Sequence, residues 1–206
     1  MIKIGIKEFD QAVAGLYDDD VILITGPSGT GKTILSLITS VYNIKLGNNV
    51  MYILLGNDRK AFLKAVKFLE YPLEKYTDNK FMLIEFPQAD IHQFLDINDN
   101  PLMTFIEEYK INLIIIDQID RIIVNEEAVD RFFQVIRSWG VATILIANSP
   151  RNSVENYVDV WINLDYREIK DRRKKVFEVI KSRGRNHSTQ KYIFDIYEDG
   201  IMIKEI

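Results

Sequence analysis

The feature that most constrains this chain is the run Gly26-Pro27-Ser28-Gly29-Thr30-Gly31-Lys32-Thr33. Its pattern, G-x-x-x-x-G-K-T, is that of a loop built to wrap a phosphate. The flanks carry as much information as the match. Val21-Ile22-Leu23-Ile24 is a short β-branched run that reads as a buried strand, and Ile34-Leu35-Ser36-Leu37-Ile38 continues as a buried helix. Strand, glycine loop and helix N-terminus together make an anion site. Glycine lets the backbone curl so that successive N–H groups point at phosphate oxygens, and the helix dipole adds positive potential. The motif assigns all eight residues, Gly26 to Thr33, to ATP or ADP. Lys32 reaches the β- and γ-phosphates, and the Thr33 hydroxyl ligates Mg²⁺.

Such a loop needs an acidic partner at the end of another strand. Asp117 closes the apolar run Leu113-Ile114-Ile115-Ile116, where its carboxylate would hold Mg²⁺ through water. Asp120 reads as a solvated turn residue. Asn148 ends the next apolar strand, and two readings of it stand side by side: an amide reaching the γ-phosphate, or an Asn-Ser-Pro turn cap.

The rest of the pattern is that of an α/β fold. Strands are expected at 50–55, 80–84, 113–117 and 141–147, and helices at 59–69, 101–109 and 126–138, with Tyr71-Pro72 ending the first of these helices. Residues 87–100 are polar and irregular apart from a short helix expected around Ile91. From Val158 the pattern changes. Segments 158–164, 174–181, 192–196 and 201–203 are strand-like with no helices between them, and are expected to pair antiparallel beside the parallel core. No repeat or low-complexity linker is visible, so residues 1–206 are expected to form one domain.

Composition narrows the function classes. There is no cysteine, which excludes disulfides and thiolate metal sites. No apolar run approaches the roughly 20 residues of a membrane span, and the N-terminus lacks a signal-peptide pattern. A cytoplasmic protein without membrane insertion is the expectation. The net charge of −4 argues against indiscriminate nucleic-acid binding. It is uneven, however: residues 165–191 carry ten Lys/Arg and four Asp/Glu, a net of +6, leaving −10 for the remainder. A basic stretch on an acidic body suits phosphate, DNA or an acidic neighbour.

The order of motifs resembles the KaiC/RadA group of RecA-like ATPases. The resemblance rests on Gly5-Ile6-x-x-Phe9-Asp10, the phosphate loop, Asp117, then Val154-Glu155-Asn156-Tyr157-Val158-Asp159 and Lys181-Ser182-Arg183-Gly184-Arg185-Asn186-His187, with Gly200-Ile201 closing. It implies a RecA-like three-layer core with a parallel sheet and a C-terminal antiparallel strand extension, with Arg172-Arg173-Lys174-Lys175 as a basic hairpin turn. It also implies self-association, with ATP held at a subunit interface. In KaiC-like rings the K-x-R-G-x-x-H segment reaches the γ-phosphate of the neighbouring subunit, which would make Lys181, Arg183 and His187 act in trans. Cations on developing phosphoryl charge contribute about 10³–10⁵ in rate.

The chain departs from the group at one place. Hydrolysing members carry glutamates after the second strand, one of which activates water; here that place reads Leu55-Gly56-Asn57-Asp58. Asp58 is one or two positions late and a methylene short, so about 2–3 Å of reach is missing. General-base catalysis contributes about 10²–10⁴. ATP binding with slow hydrolysis is therefore expected. Phe9-Asp10-Gln11-Ala12 matches the F-x-x-A of recombinase assembly but coincides with a core helix start. Three functions follow: a nucleotide-gated assembly or switch module with a protein partner, like the FlaH family; a RadA-paralogue accessory factor near DNA; and an active ATPase using Asp58 as base. The short loop from Asn148 to Tyr157, without aromatics before Tyr157, argues against strand exchange.

Overall fold

The computed structural model describes residues 1–56, 59–69, 73, 80–87, 100–149 and 153–205. Its elements in chain order are α1 (Lys7–Val13), β1 (Val21–Thr25), α2 (Lys32–Lys45), β2 (Val50–Leu55), α3 (Arg59–Phe68), β3 (Phe81–Phe86), α4 (Pro101–Glu108), β4 (Leu113–Asp117), α5 (Glu126–Ser138), β5 (Ala142–Ile146), β6 (Val160–Ile169), β7 (Arg172–Ser182), β8 (Lys191–Tyr197) and β9 (Gly200–Glu205). Among the described residues these strands form one sheet in the order β3-β2-β4-β5-β1-β6-β7-β8-β9. The run from β3 to β6 is parallel, and β7, β8 and β9 follow antiparallel.

Every position of β1, β2, β4 and β5 is buried, as unbroken apolar runs require when helices cover both faces. One apolar layer joins α1, α2 and α3 to the sheet through residues such as Phe9, Leu35 and Phe62. The other joins α4 and α5 through Leu102, Ile106, Phe132 and Ile136. Phe9 and Ala12 of the F-x-x-A match are both buried in α1, and Phe9 stacks on Phe177 of β7 with ring centroids 3.7 Å apart. They serve the core. Asn100 and Asn125 cap α4 and α5 by accepting from the N–H groups of Leu102 and Ala128.

Two expectations are corrected. The strand beginning near Val158 pairs antiparallel with β7, but it also runs parallel beside β1, extending the parallel core by one strand. A 3₁₀ turn at Val154–Asn156, rather than a full helix, lies on this crossover, so the periodicity gave no sign of it. Residues 172–175 are not a turn but the start of β7. The hairpin turns at Lys170 and Asp171, with φ of +50° and +58°. Successive left-handed residues suit the twist of a two-residue hairpin, and Lys-Asp is a weak sequence signal for it. The expected helix near Ile91 and the stop at Tyr71-Pro72 lie outside the described residues. No helix among the described residues is long and apolar enough to cross a membrane.

A candidate nucleotide site at the ends of the parallel strands

The phosphate loop leaves the C-terminal end of β1 at Gly26. A Cβ there would sit 2.1 Å from the Leu164 carbonyl oxygen of β6, and φ is +149°, so both the close approach and the backbone require glycine. Thr30 tightens the loop: its N–H and Oγ1 both donate to the Pro27 carbonyl, at 3.3 and 2.9 Å. Helix α2 starts at Lys32 behind Gly31, and no side chain caps it. Its first-turn N–H groups therefore face the loop, the arrangement in which helix termini bind anions.

Lys32 is only 9% exposed. Its Nζ donates to the carbonyls of Gly26 (2.6 Å) and Pro27 (3.1 Å) and to Asn148 Oδ1 (3.2 Å). Burial lowers its pKa below the usual ammonium range, and the carboxylates of Asp117 and Asp120 pull it back up. A bound polyphosphate acts in the same direction as those carboxylates, because it too favours the charged ammonium.

Asp117 is buried at the end of β4. Its Oδ2 accepts from Thr33 Oγ1 at 3.1 Å and from Tyr52 OH at 3.0 Å. Tyr52, on β2, is fully buried and lies 2.8 Å from Ser36 Oγ, whose single proton is shared between the phenol oxygen and the Thr33 carbonyl at 2.9 Å. Burial first, and the Asp117 charge second, push the Tyr52 pKa well above its ordinary value. The phenol therefore stays protonated and donates to the carboxylate.

Asp120 is not the solvated turn residue expected of it. It sits on a 3₁₀ turn, Ile119–Arg121, and its Oδ2 accepts from the Asn148 backbone N–H at 2.8 Å. The Asn148 carbonyl in turn accepts from Gly26 N–H at 3.3 Å. Asn148 thus ties the end of the β5 connection to the loop, with its side chain on the Lys32 ammonium.

These groups border a cavity of about 730 Å³. Lys32, Thr33, Asp117, Gln118, Asn148 and Lys175 form its polar lining, and Ile34, Phe68 and Ile196 its apolar lining. A second cavity of the same volume lies beneath the N-terminal segment and shares none of these residues. Lys175 belongs to the basic run read as a turn. Strand alternation and its register opposite Tyr166 bring it to this cavity from the same chain. Tyr166 OH donates to the Gly29 carbonyl at 2.7 Å, and the Arg173 guanidinium lies 3.8 Å from the centre of its ring.

Thr33 and Asp117 fit a Mg²⁺ site. Among the described residues no group of three or more His, Asp and Glu gathers as a metal cage. Mg²⁺ in nucleotide sites needs none, since phosphates and water complete its octahedron around one or two protein oxygens.

The residues expected to act in trans lie elsewhere. Lys181 pairs opposite Trp161, which is level with Leu23 of β1, whereas the phosphate loop begins only after Thr25. Lys181 Nζ donates to the Glu155 carbonyl at 2.7 Å, and burial, then the like charge of Arg183, lower its pKa. Arg183 donates to the Asn156 carbonyl at 2.9 Å and lies 3.5 Å from Asp159. Asp159 is a hub: it also pairs with Arg137 at 2.7 Å and accepts from Val21 N–H at 2.9 Å. His187 is half-buried in the segment leading to β8. Between them, Arg185 forms a buried two-pronged pair with Asp20 at 2.7 and 2.9 Å, a contact 165 residues apart in sequence that no spacing signals.

Asp58 lies outside the described residues. Gly56, two residues before it, has φ +89°, and a Cβ there would lie 2.6 Å from Nη1 of Arg121. Arg121 Nε donates to Gln118 Oε1 at 2.7 Å. Tyr52, Gln118 and Arg121 were not singled out from the sequence, and Lys175 was named only within the basic turn, because each acquires its place at the cavity only through strand register or a turn.

Comparison with known proteins places this geometry in a family. The KaiC ATPase family model matches residues 2–206. The chain is 24% identical to the UPF0273 protein PH0284 of Pyrococcus horikoshii, covering 98% of this chain and 93% of the relative. It is 22% identical to the circadian clock protein KaiC2 of Synechocystis, where 99% of this chain spans only 39% of the relative. The crystal structure of the KaiC-like protein PH0186 of Pyrococcus horikoshii superposes with a TM-score of 0.86 at 23% identity, covering 98% of both chains. That likeness shows the RecA-like fold. With the family model spanning almost its whole length, the chain belongs to the KaiC family of ATPases.

Proposed function

We propose that this protein binds ATP·Mg and works as a nucleotide-gated assembly or switch module with slow hydrolysis. The carrying observation is the convergence of Lys32, Thr33, Asp117 and Asn148 on one cavity beside the first turn of α2. In this reading the loop N–H groups and Lys32 hold the β- and γ-phosphates. Thr33 and Asp117 hold Mg²⁺, which neutralises phosphate charge when bound. Ile34, Phe68 and Ile196 offer the apolar contact a base would use.

Slow turnover is supported by the strand end at Gly56, where a glycine stands and a guanidinium packs. Self-association is supported by the placement of Lys181 and Arg183 away from the chain's own loop. A cation of the K-x-R-G-x-x-H segment that cannot serve its own site is suited to a neighbour's. Asp159, Glu155 and Asn156 hold both side chains against the crossover turn.

The test is single-turnover hydrolysis of ATP·Mg, with Lys32→Ala as the blank, run alongside light scattering with and without ATP. ATP-dependent growth in mass with turnover near the blank supports the switch. Turnover clearly above the blank that disappears in Asp58→Ala would instead make the protein an active ATPase with Asp58 as base. Salt-sensitive binding of single-stranded DNA would favour a repair-accessory role.

A further inference from the structure

Gln118 directly follows Asp117 and adopts φ +68°, ψ +49°. A residue with a Cβ holds this left-handed conformation at a cost, and such positions are found in tight turns, as at Lys170 and Asp171, and at functional sites. It lines the nucleotide cavity beside Thr33, Asp117 and Asn148. Its carboxamide is oriented by Arg121. A guanidinium has donors and no acceptor, so the atom 2.7 Å from Arg121 Nε is the amide oxygen, and the other arm is the NH₂ group, a donor. The Arg121 guanidinium is seated in turn on Gly56, in space that any Cβ at that position would enter. A cation therefore packs on bare backbone at the strand end, and it fixes the neighbouring amide.

We propose that Gln118 reads the γ-phosphate of the bound nucleotide, with Arg121 as the residue that positions it. This rests on the ATP-binding reading above and specifies it. A donor amide stabilises a phosphate oxygen but cannot take a proton from water. The pair therefore confers preference for a triphosphate over a diphosphate without supplying a base. Gly56 and Arg121 are coupled, because only glycine leaves room for the guanidinium that turns the amide.

The experiment is equilibrium binding of ADP·Mg and of a non-hydrolysable ATP analogue with Mg²⁺, to the wild type, Gln118→Gly, Gln118→Asn and Arg121→Lys. Glycine relieves the left-handed backbone, so Gln118→Gly keeps the fold, which a thermal melt checks. Asn also tolerates this conformation and serves as the second variant. The wild type is expected to prefer the triphosphate. Gln118→Gly is expected to weaken triphosphate binding about 10- to 100-fold while leaving ADP binding within about twofold, the size of one hydrogen bond to a charged group. Arg121→Lys keeps the charge but lacks the planar fork, and is expected to lose part of the preference. A purely structural role would weaken both nucleotides together. A triphosphate-to-diphosphate ratio unchanged in both Gln118 variants, or absent in the wild type, would overturn the proposal while leaving nucleotide binding intact. Binding of neither nucleotide by the wild type would overturn the ATP reading itself.

Discussion

The buried contact between Tyr52 and Asp117 gives the sharpest prediction, for the substitution Tyr52→Phe. It removes one oxygen and leaves the ring where Phe62 packs against it, with centroids 4.8 Å apart. Ser36 keeps its bond to the Thr33 carbonyl, so no hydroxyl is orphaned. The loss falls on Asp117, whose Oδ2 forfeits a 3.0 Å hydrogen bond in a position only 5% exposed, where water does not readily replace it. A hydrogen bond to a charged group is worth about 1.5–3 kcal/mol. Residues that orient a metal-binding carboxylate change metal affinity by about 10- to 100-fold. The Mg²⁺ midpoint for ATP binding, followed with a fluorescent analogue, should therefore rise by about 10-fold or more, while Mg²⁺-free nucleotide binding holds. Urea denaturation should show a loss of about 1–2 kcal/mol. A Mg²⁺ midpoint that stays put would refute the argument that Tyr52 supports the metal end of the site.

The same phenol predicts a pH effect. Its folded-state pKa lies above the unfolded value, so its contribution is complete below the unfolded pKa of about 10 and is lost as pH rises above it; wild-type stability should fall in this range more than that of Tyr52→Phe, as denaturation midpoints across pH would show. Asp20→Ala leaves the Arg185 guanidinium buried without its carboxylate, and should destabilise the protein by about 3–5 kcal/mol in urea melts; a loss under about 1 kcal/mol would mean that the pair behaves as an exposed one. If Arg183 serves a neighbour, mixing Lys32→Ala with Arg183→Ala subunits should restore ATP-dependent growth in light scattering above either alone, because mixed interfaces pair an intact loop with an intact arginine. No gain on mixing would remove the trans role.

Much of this molecule is local in origin. The strands β1, β2, β4 and β5 are runs buried on both faces and apolar but for Thr25, Asp117 and Thr143, and α5 begins and ends where its periodicity and Asn125 cap place it. The loop from Gly26 to Thr33 is also legible, because its geometry is set by glycines and by contacts within a few residues, such as Thr30 to Pro27. The C-terminal strands were legible as strands, and so was their antiparallel pairing with one another; the parallel pairing of β6 with β1 was not. Whether β6 joins β1 depends on which edge of the sheet its crossover reaches, and a 3₁₀ turn carries no periodicity to announce it.

The sequence alone determined the phosphate loop, the acidic strand end at Asp117, the α/β alternation and the absence of cysteine. It also marked the departure at Gly56. Only the tertiary structure decided which side chains surround that loop. Tyr52 beneath Asp117, Asp120 on Asn148, Lys175 at the cavity and Arg121 on Gly56 all depend on strands and turns brought together from separate parts of the chain. The physical reason is register. Strand side chains alternate between faces, so a shift of one residue would turn Lys175 away from the cavity and Lys174 toward it. Such a choice is made by packing across the whole sheet and is written in no local stretch of sequence.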